Sequence, residues 1–245
     1  MNVMFLMGGI HTNKDNYPLY LTETNEKTIL ETQIKYILKT KPQQLIFCIN
    51  ETEIKQFHAD SAILQIDPTA KIVPIRAQTN GAICTALLGI EHIDNDNELI
   101  LIGISDFVEE DSEEIAKKFR EAKADVGVVS FDSIHPRYSF VKLCENGEPV
   151  EFAEKKPISK NALVSFYYFK HGKDFVECAK EVIRKDSPVN DNFYISQSLN
   201  EMILRHKKFT IHKISNDKFR PLKTEAQLEE YVYKYKEEGT KTSEN

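Results

Sequence analysis

The amino-acid sequence predicts an α/β protein built on a doubly wound, mostly parallel sheet. Short runs of β-forming apolar residues alternate with stretches in which apolar residues recur at helical spacing, and this alternation is typical of a parallel sheet flanked by helices. The strand-like runs are apolar at almost every position, as in strands that are buried on both faces. The clearest run begins at Leu99 and stops at Ser105-Asp106.

The first half of the chain alternates regularly between predicted strands and helices. Strands are predicted at residues 3–7, 45–49 and 71–75, in a fourth run that ends at Asp106, and at residues 125–129. Helices are predicted at residues 29–38 and 51–57, after Gly81, and after the N-cap signature Asp111-Ser-Glu-Glu114. This order favours a doubly wound parallel sheet.

The second half is richer in β-structure. Residues 138–143 and 150–153 flank the turn signal Glu145-Asn-Gly147 and predict a small β-rich insertion. A buried strand at residues 162–169, helices at residues 173–184 and up to Leu204, and a strand at residues 209–214 are predicted next. Thr224-Glu-Ala-Gln227 is a capping box and predicts the start of a final helix.

Composition indicates an ordinary globular protein. The 245 residues are 41% hydrophobic and 29% charged, which suits one large domain. We expect a single domain at residues 1–237, divided into halves at residues 1–131 and 132–237, and a polar tail at residues 238–245.

Charge, cysteine spacing and the amino terminus exclude several classes of protein. The net charge of −6 gives no general attraction to nucleic acid or to an anionic membrane. The four cysteines are far apart and suit free thiols better than a metal site. Because the amino terminus lacks a basic n-region and no run approaches about 20 apolar residues, we expect a cytoplasmic protein.

The carboxyl end of the predicted sheet carries the candidate site. Ligands of open α/β sheets bind in the crevice beyond the carboxyl ends of the strands, and Asp106 falls there. Gly8-Gly9 follows the first strand, and Gly81 opens a helix beside the same crevice. Asp94-Asn-Asp96 precedes its strand and falls at the opposite end of the sheet, so we interpret it as a solvated turn.

Ordered motifs along nearly the whole chain resemble the sugar-phosphate nucleotidyltransferase family. Members carry, in order, a glycine-rich loop, a Gly-x-x-Cys-Thr-x-Leu-Leu segment, a Ser-Asp pair, a Glu-Lys pair, an Asn-x-x-Phe-Tyr loop and a terminal Gly-Thr-Pro-Glu-Asp-Leu. The matching residues here are Gly8-Gly9, Gly81-Ala-Ile-Cys84-Thr85-Ala-Leu87-Leu88, Ser105-Asp106, Glu154-Lys155, Asn190-Asp-Asn-Phe193-Tyr194 and Thr224-Glu-Ala-Gln-Leu228. Each motif is loose alone, and the ordered set is specific.

The resemblance implies a Rossmann-like GT-A nucleotidyltransferase fold and an enzyme that joins a nucleoside triphosphate to a sugar phosphate, or to a similar phosphorylated small molecule, with release of pyrophosphate. Precursors of surface polysaccharides are the implied product class, and Mg²⁺ held by Asp106 is the implied cofactor. The resemblance leaves open whether the protein forms a homo-oligomer. The implied catalytic residues are Asp106, Lys155 and Lys14. The implied nucleotide-binding residues are Met7, Gly8, Gly9, Gln78, Gly81, Thr85 and Ser105, and the implied substrate-binding residues are Glu154, Lys155, Asn190 and Tyr194.

Several positions depart from the family pattern. The family loop supplies an Arg and a Lys that neutralise the triphosphate, whereas this chain carries Asn13 and Tyr17 there. Lys14 and His11 lie in the same loop and are candidates to replace those cations. Ser165 stands where a glycine is expected, Lys223-Thr224 stands for Gly-Thr, and Arg220 is near the position of a second metal-binding Asp in many members.

These departures keep two alternatives open. One is a catalytically inactive relative that retains a ligand pocket or a partner surface. The other is a GT-A transferase that uses a ready-made nucleotide sugar, for which the missing cations would matter little because no pyrophosphate leaves.

Overall fold

A sheet covered by helices on both faces forms the centre of the molecule. The computed structural model describes residues 1–9, 12–24 and 27–242, with side chains up to residue 233. The strands are β1 (Asn2–Met7), β2 (Glu23–Thr24), β3 (Lys27–Thr28), β4 (Gln44–Asn50), β5 (Lys71–Ile75), β6 (Leu99–Gly103), β7 (Asp106–Val108), β8 (Val126–Asp132), β9 (Ser139–Leu143), β10 (Pro149–Glu154), β11 (Asn161–Phe169), β12 (Phe209–Lys213) and β13 (Phe219–Pro221). The helices are α1 (Ile29–Leu38), α2 (Glu51–Phe57), α3 (Ala59–Ile66), α4 (Ala82–Leu88), α5 (Ile90–Ile93), α6 (Ser112–Glu121), α7 (Gly172–Arg184), α8 (Ile195–Leu204) and α9 (Glu225–Thr242).

The central sheet is mixed and mostly parallel, which confirms the predicted fold class. Strands β5, β4, β1 and β6 lie side by side and run parallel. Strand β11 pairs antiparallel with β6 and with β8, and β12 pairs parallel with β8. Both halves of the chain therefore contribute strands to one sheet.

Alternate residues of β1 point to opposite faces of the sheet, as the pleat requires. Val3 and Phe5 belong to the core layer beneath α1 and α6, whereas Met4 belongs to the layer beneath α4, α7 and α8. Val3, Met4 and Phe5 are all fully buried. Burial on both faces explains why the strand-like runs of the sequence are apolar at nearly every position.

The predicted β-rich insertion is the hairpin of β9 and β10. These strands pair antiparallel, and Gly147 in their turn has a φ of +80°. Ala162 of β11 pairs with Phe140 of β9, so the hairpin extends the edge of the central sheet. One end of this hairpin, at Ser139 and Glu154, reaches the candidate site.

The fourth predicted strand ends earlier than the apolar run suggested. Pairing between β6 and β11 stops at Ile102 opposite Phe166, and β6 ends at Gly103. The chain then starts β7 at Asp106, which pairs antiparallel with β13. A three-residue strand leaves no hydrophobic periodicity, so the sequence could not indicate this change of partner.

The final helix begins where the capping box predicted. Thr224 Oγ1 accepts a hydrogen bond from the backbone N–H of Gln227 at 3.3 Å, and Leu228 and Tyr231 are buried. The helix continues to Thr242, beyond residue 237, where the tail was expected to begin. Residues 243–245 of that tail lie outside the described residues.

All four cysteines are free thiols, as predicted, and Cys48 and Cys178 are buried. Within the described residues, none of the helices has the length and apolar character needed to span a membrane.

Candidate functional site

A cavity of about 340 Å³ lies at the carboxyl ends of β1 and β6, where both halves of the chain meet. It brings together most of the site residues that the sequence indicated. Those that line it are Gly8, Gly9, Gln78, Gly81, Thr85, Ser105, Asp106, Glu154 and Tyr194.

Four of the indicated residues do not line the cavity. Met7 is buried in the core at 1% exposure. Lys14 and Asn190 are exposed on their loops. Lys155 does not line the cavity itself but bonds to Tyr194, which does. The roles that the resemblance implied for these four residues remain predictions.

The cavity wall also contains polar residues that sequence reasoning did not assign to the site. Ser165 and Lys223 were noted only as departures from the family pattern, and Arg137, Tyr138 and Ser139 lie just before or at the start of β9. The sequence signal that could have identified Arg137 is its place between a buried strand and a hairpin. The unassigned polar lining residues are Thr79, Arg137, Tyr138, Ser139, Ser165, Tyr167, Asn192, Lys223 and Gln227.

Asp106 is held in one orientation by Ser165. Its Oδ1 accepts the backbone N–H of Ser165 at 3.1 Å, and its Oδ2 accepts the hydroxyl at 2.8 Å. Gln33 Nε2 donates to the backbone carbonyl of Asp106 at 3.1 Å. Burial raises the pKa of Asp106 to about 6, although the hydrogen bonds from Ser165 act in the opposite direction.

Gly103 makes room for Ser165. A Cβ at Gly103 would approach Cβ of Ser165 to 2.7 Å. Because a larger residue would displace Ser165, Gly103 determines how closely β6 and β11 approach beside the Asp106 carboxylate. Ser165, which stands where the resemblance predicts a glycine, donates two hydrogen bonds to Asp106.

Glu154 is the second carboxylate of the cavity. Its Oε2 accepts hydrogen bonds from the hydroxyls of Ser139 and Ser196, the latter at 2.9 Å. Burial raises the pKa of Glu154 despite these two bonds. Both hydroxyls bond the same oxygen, which leaves the acceptor capacity of Oε1 for a ligand.

Lys155 and Tyr194 form a pair beside Glu154. Lys155 Nζ donates to the Tyr194 hydroxyl at 2.5 Å and lies 4.8 Å from the centre of its ring. The backbone of Lys155 has a φ of +54°, in the left-handed region, and its N–H bonds to the carbonyl of Tyr138 at 3.0 Å. Lys155 thus positions the tyrosine hydroxyl at the cavity wall.

Two glycines on the other wall permit close contacts. Gly81 has a φ of +98°, and a Cβ there would lie 2.4 Å from the carbonyl oxygen of Phe193. A Cβ at Gly8 would lie 2.9 Å from Thr85 Oγ1, which in turn lies 2.6 Å from Thr79 Oγ1. Contacts within the protein are therefore enough to require glycine at both positions, before any contact with a ligand is considered.

Asn13 and Tyr17, in the loop after β1, bond within the protein and do not line the cavity. Asn13 Oδ1 accepts the backbone N–H groups of Asp15 and Tyr17, each at 2.9 Å. Tyr17 packs edge-on against Phe57 of α2 and donates its hydroxyl to the carbonyl of Leu21. Asn13 and Tyr17, which stand where the resemblance predicts two cations, therefore stabilise the described part of the loop. His11, the other candidate cation, lies outside the described residues.

Asp106 fits Mg²⁺ as a single protein ligand. In the described parts of the chain, no group of three or more acidic, histidine or cysteine side chains could hold a metal. Pro221 of β13 is in register with Asp106, and Arg220 pairs with Glu109 at Nε–Oε1 2.9 Å. Mg²⁺ is often held by one or two carboxylates together with substrate phosphates, so the remaining ligands would come from a phosphorylated ligand and water.

No family model matches the chain, and no curated protein matches it. Several solved structures are similar over nearly the whole chain, two of them at a TM-score of 0.78. One is a nucleoside-diphosphate-sugar pyrophosphorylase from Vibrio cholerae, at 19% identity and a TM-score of 0.78, with 94% of this chain and 99% of that chain covered. The other is a UDP-glucose pyrophosphorylase in complex with UDP-glucose, at 13% identity and a TM-score of 0.78, with 97% and 98% covered. The chain therefore has the Rossmann-like fold of the sugar nucleotidyltransferases.

Proposed function

We propose that this protein is a nucleotidyltransferase that joins a nucleoside triphosphate to a sugar phosphate. The observation that carries the proposal is the single cavity in which Asp106, Gly81 and Glu154 meet, although they come from distant parts of the chain. These are the residues at which the sequence resembles the family. An oxygen of the sugar phosphate would attack the α-phosphorus, and the bond to the β-phosphate would break as pyrophosphate leaves.

Asp106 would hold Mg²⁺ together with oxygens of the triphosphate. A bound Mg²⁺ would neutralise the charge that develops on the phosphate oxygens. Ser165 donates to both carboxylate oxygens and so fixes the direction in which Asp106 faces. Each carboxylate oxygen has a further acceptor site, which suits a metal or a metal-bound water.

Glu154, Ser139 and Tyr194 form a hydroxyl-binding wall. A carboxylate accepts hydrogen bonds from sugar hydroxyls, and its bonds are stronger than those of a neutral acceptor. Serine and tyrosine hydroxyls can both donate and accept. This chemistry suits a polyhydroxylated acceptor beside Asp106.

The wall that contains Gly8, Gln78, Thr79 and Thr85 suits the nucleoside. It offers amide and hydroxyl groups without a charged side chain among its described residues. An uncharged base and ribose need such neutral donors and acceptors, which orient a ligand by hydrogen bonds.

A second candidate is a protein that binds a nucleotide sugar without releasing pyrophosphate, whether an inactive relative or a transferase that uses a ready-made nucleotide sugar. The bonds that commit Asn13 and Tyr17 to the loop favour it. A well-placed cation can contribute about 10³–10⁵ in rate to phosphoryl transfer, and neither residue supplies one.

Pyrophosphate release separates the two candidates. The protein is incubated with Mg²⁺, each nucleoside triphosphate and a panel of sugar phosphates. Release in at least one mixture supports the first candidate. No release in any mixture, together with thermal stabilisation by a nucleotide sugar, supports the second and contradicts the first. Activity would be consistent with a role in supplying polysaccharide precursors.

A further inference from the structure

Positive charge is unevenly distributed among the described residues that line the cavity. Among the described residues, the charged side chains that line the cavity are Asp106, Arg137, Glu154 and Lys223. The two cations come from the second half of the chain. The wall formed by Gly8, Gly9 and residues 78–85 is neutral. A phosphorylated ligand therefore meets protein cations at one end of the cavity.

Lys223 has a fixed backbone at the junction of β13 and α9. Its N–H donates to Gln227 Oε1 at 3.1 Å, and the N–H of the preceding Leu222 donates to the carbonyl of Ser105 at 2.8 Å. The lysine lies close enough to Asp106 and Glu154 to interact electrostatically with both carboxylates. Lys223 therefore shares the cavity with both of its carboxylates.

Arg137 is the second cation among the described residues that line the cavity. Its Nε donates to Nδ1 of His135 at 3.2 Å, and its backbone N–H approaches the same nitrogen at 3.3 Å. This contact orients the exposed guanidinium of Arg137, which lines the cavity. The neighbouring Tyr138 and Ser139 also line the cavity, so Arg137 borders the hydroxyl-binding wall.

We infer that Arg137 and Lys223 hold the phosphate of the sugar-phosphate acceptor. The inference rests on the proposed function and adds the residues that recognise the acceptor. A guanidinium and an ammonium on one wall match a phosphate that carries two charges. Glu154 lies on the same wall and takes the sugar hydroxyls, so one ligand can satisfy the cations and the carboxylate together.

Binding of the acceptor alone tests this inference. Calorimetry with a panel of hexose and pentose phosphates, with glucose as the uncharged probe, is run on the full chain and on Lys223→Gln and Arg137→Gln. We expect each variant to weaken the Kd for the bound sugar phosphate about tenfold, which corresponds to about 1.4 kcal/mol. Lys180→Gln removes an exposed lysine of α7 that does not line the cavity and is the matched control.

Specificity for the acceptor is the second readout. The Kd for a nucleoside triphosphate with Mg²⁺ should change less than about threefold in both variants, because the nucleoside wall carries no cation among its described residues. Since Arg137 and Lys223 are exposed, the melting temperature should not change. An equal loss for both ligands, or no loss for the sugar phosphate, overturns the inference.

The outcomes separate this inference from the proposed function. Pyrophosphate release with an unchanged sugar-phosphate Kd in both variants leaves the function standing and rejects the acceptor role. Selective loss of sugar-phosphate binding in a protein that releases no pyrophosphate keeps the acceptor role and rejects nucleotidyl transfer. If no sugar phosphate binds the unaltered protein, the inference fails.

Discussion

The two walls of the cavity are built by different means. The wall that contains Gly8 and Gly81 is shaped by close backbone contacts, since a Cβ at either glycine would collide with Thr85 or Phe193. The wall that contains Arg137, Glu154 and Lys223 carries charges and hydrogen bonds. We therefore expect the neutral wall to select a ligand mainly by shape and the charged wall to select it by charge.

Asp106 lies where the two walls meet, so its substitution should have the largest effect. Asp106→Asn keeps an oxygen that can accept from Ser165 but removes the negative charge. We expect pyrophosphate release to fall by about 10²-fold or more, the size of loss typical when a group that stabilises developing charge is removed. Pyrophosphate measured in samples quenched at fixed times gives this fall in rate.

Asp132→Asn is the matched control for this substitution. Asp132 pairs with Lys213 on the surface at 2.7 Å and does not line the cavity. Its loss should leave the rate within about twofold, because exposed ion pairs contribute about 0–1 kcal/mol. Equal losses in the two variants would remove Asp106 from its proposed role.

The shape of the neutral wall depends on Gly81, which gives the second prediction. Gly81→Ala forces a Cβ to within 2.4 Å of the carbonyl oxygen of Phe193 at a φ of +98°. Since both backbone segments must shift, we expect a loss of about 2 kcal/mol or more in the free energy of unfolding. Urea denaturation measures the loss.

Gly147→Ala separates the cost of a left-handed backbone from the cost of the contact between a Cβ at residue 81 and Phe193. Gly147 also has a positive φ, of +80°, but a Cβ placed there would meet no described atom within 4 Å. Only the left-handed conformation is then penalised, at about 1 kcal/mol. If Gly147→Ala destabilises the protein as much as Gly81→Ala, contact with Phe193 does not explain the requirement for glycine at 81.

Glu53 bonds to Tyr20, in the segment that follows the loop after β1, and gives a pH-dependent prediction. Glu53 is 6% exposed and accepts the hydroxyl of Tyr20 at 2.6 Å. Burial raises the pKa of Glu53, and the bond from Tyr20 offsets this only in part. The folded protein therefore holds this proton more tightly than the unfolded chain, so stability falls as the pH rises from the ordinary glutamate pKa through the raised pKa.

Glu53→Gln should remove this loss of stability at higher pH. The amide oxygen can still accept the Tyr20 hydroxyl, so the variant should melt above the unaltered protein at pH 8, with the difference shrinking toward pH 4. Glu51→Gln, two residues earlier in α2, is a control of opposite sign, because its hydrogen bond to Lys55 lowers the pKa of Glu51. A difference between the melting curves of Glu53→Gln and the unaltered protein that does not depend on pH would contradict this account.

The sequence predicted the neutral wall better than the charged wall. Gly8, Gly81 and Ser105-Asp106 follow or precede elements with clear apolar periodicity, and strand order places them at one edge of the sheet. Their identification needed only the pattern of strands and helices. The mostly parallel sheet followed from the same pattern and is confirmed.

Arg137 has only a weak local signal, its place between a buried strand and a hairpin, and Lys223 has none. Lys223 reaches the cavity because β13 pairs with β7 and brings Pro221 opposite Asp106, across more than a hundred residues of sequence. Strands of three residues have no periodicity to detect, and exposed cations resemble any solvated surface charge. Long-range pairing, rather than composition, makes these residues part of the site.

Substitution of Lys14 should have the smallest effect. It tests most directly whether the neutral wall acts without charge. Lys14 is exposed and does not line the cavity, and the bonds of Asn13 to Asp15 and Tyr17 hold its turn. Exposed charges are screened over about 8–10 Å at physiological salt, so Lys14→Ala should lower kcat/KM for the triphosphate by no more than about threefold. A tenfold loss at about 150 mM salt would mean that this loop delivers its lysine to the bound triphosphate. The neutral wall would then also act by charge, and the contrast between the two walls would hold for the ligand-free protein alone.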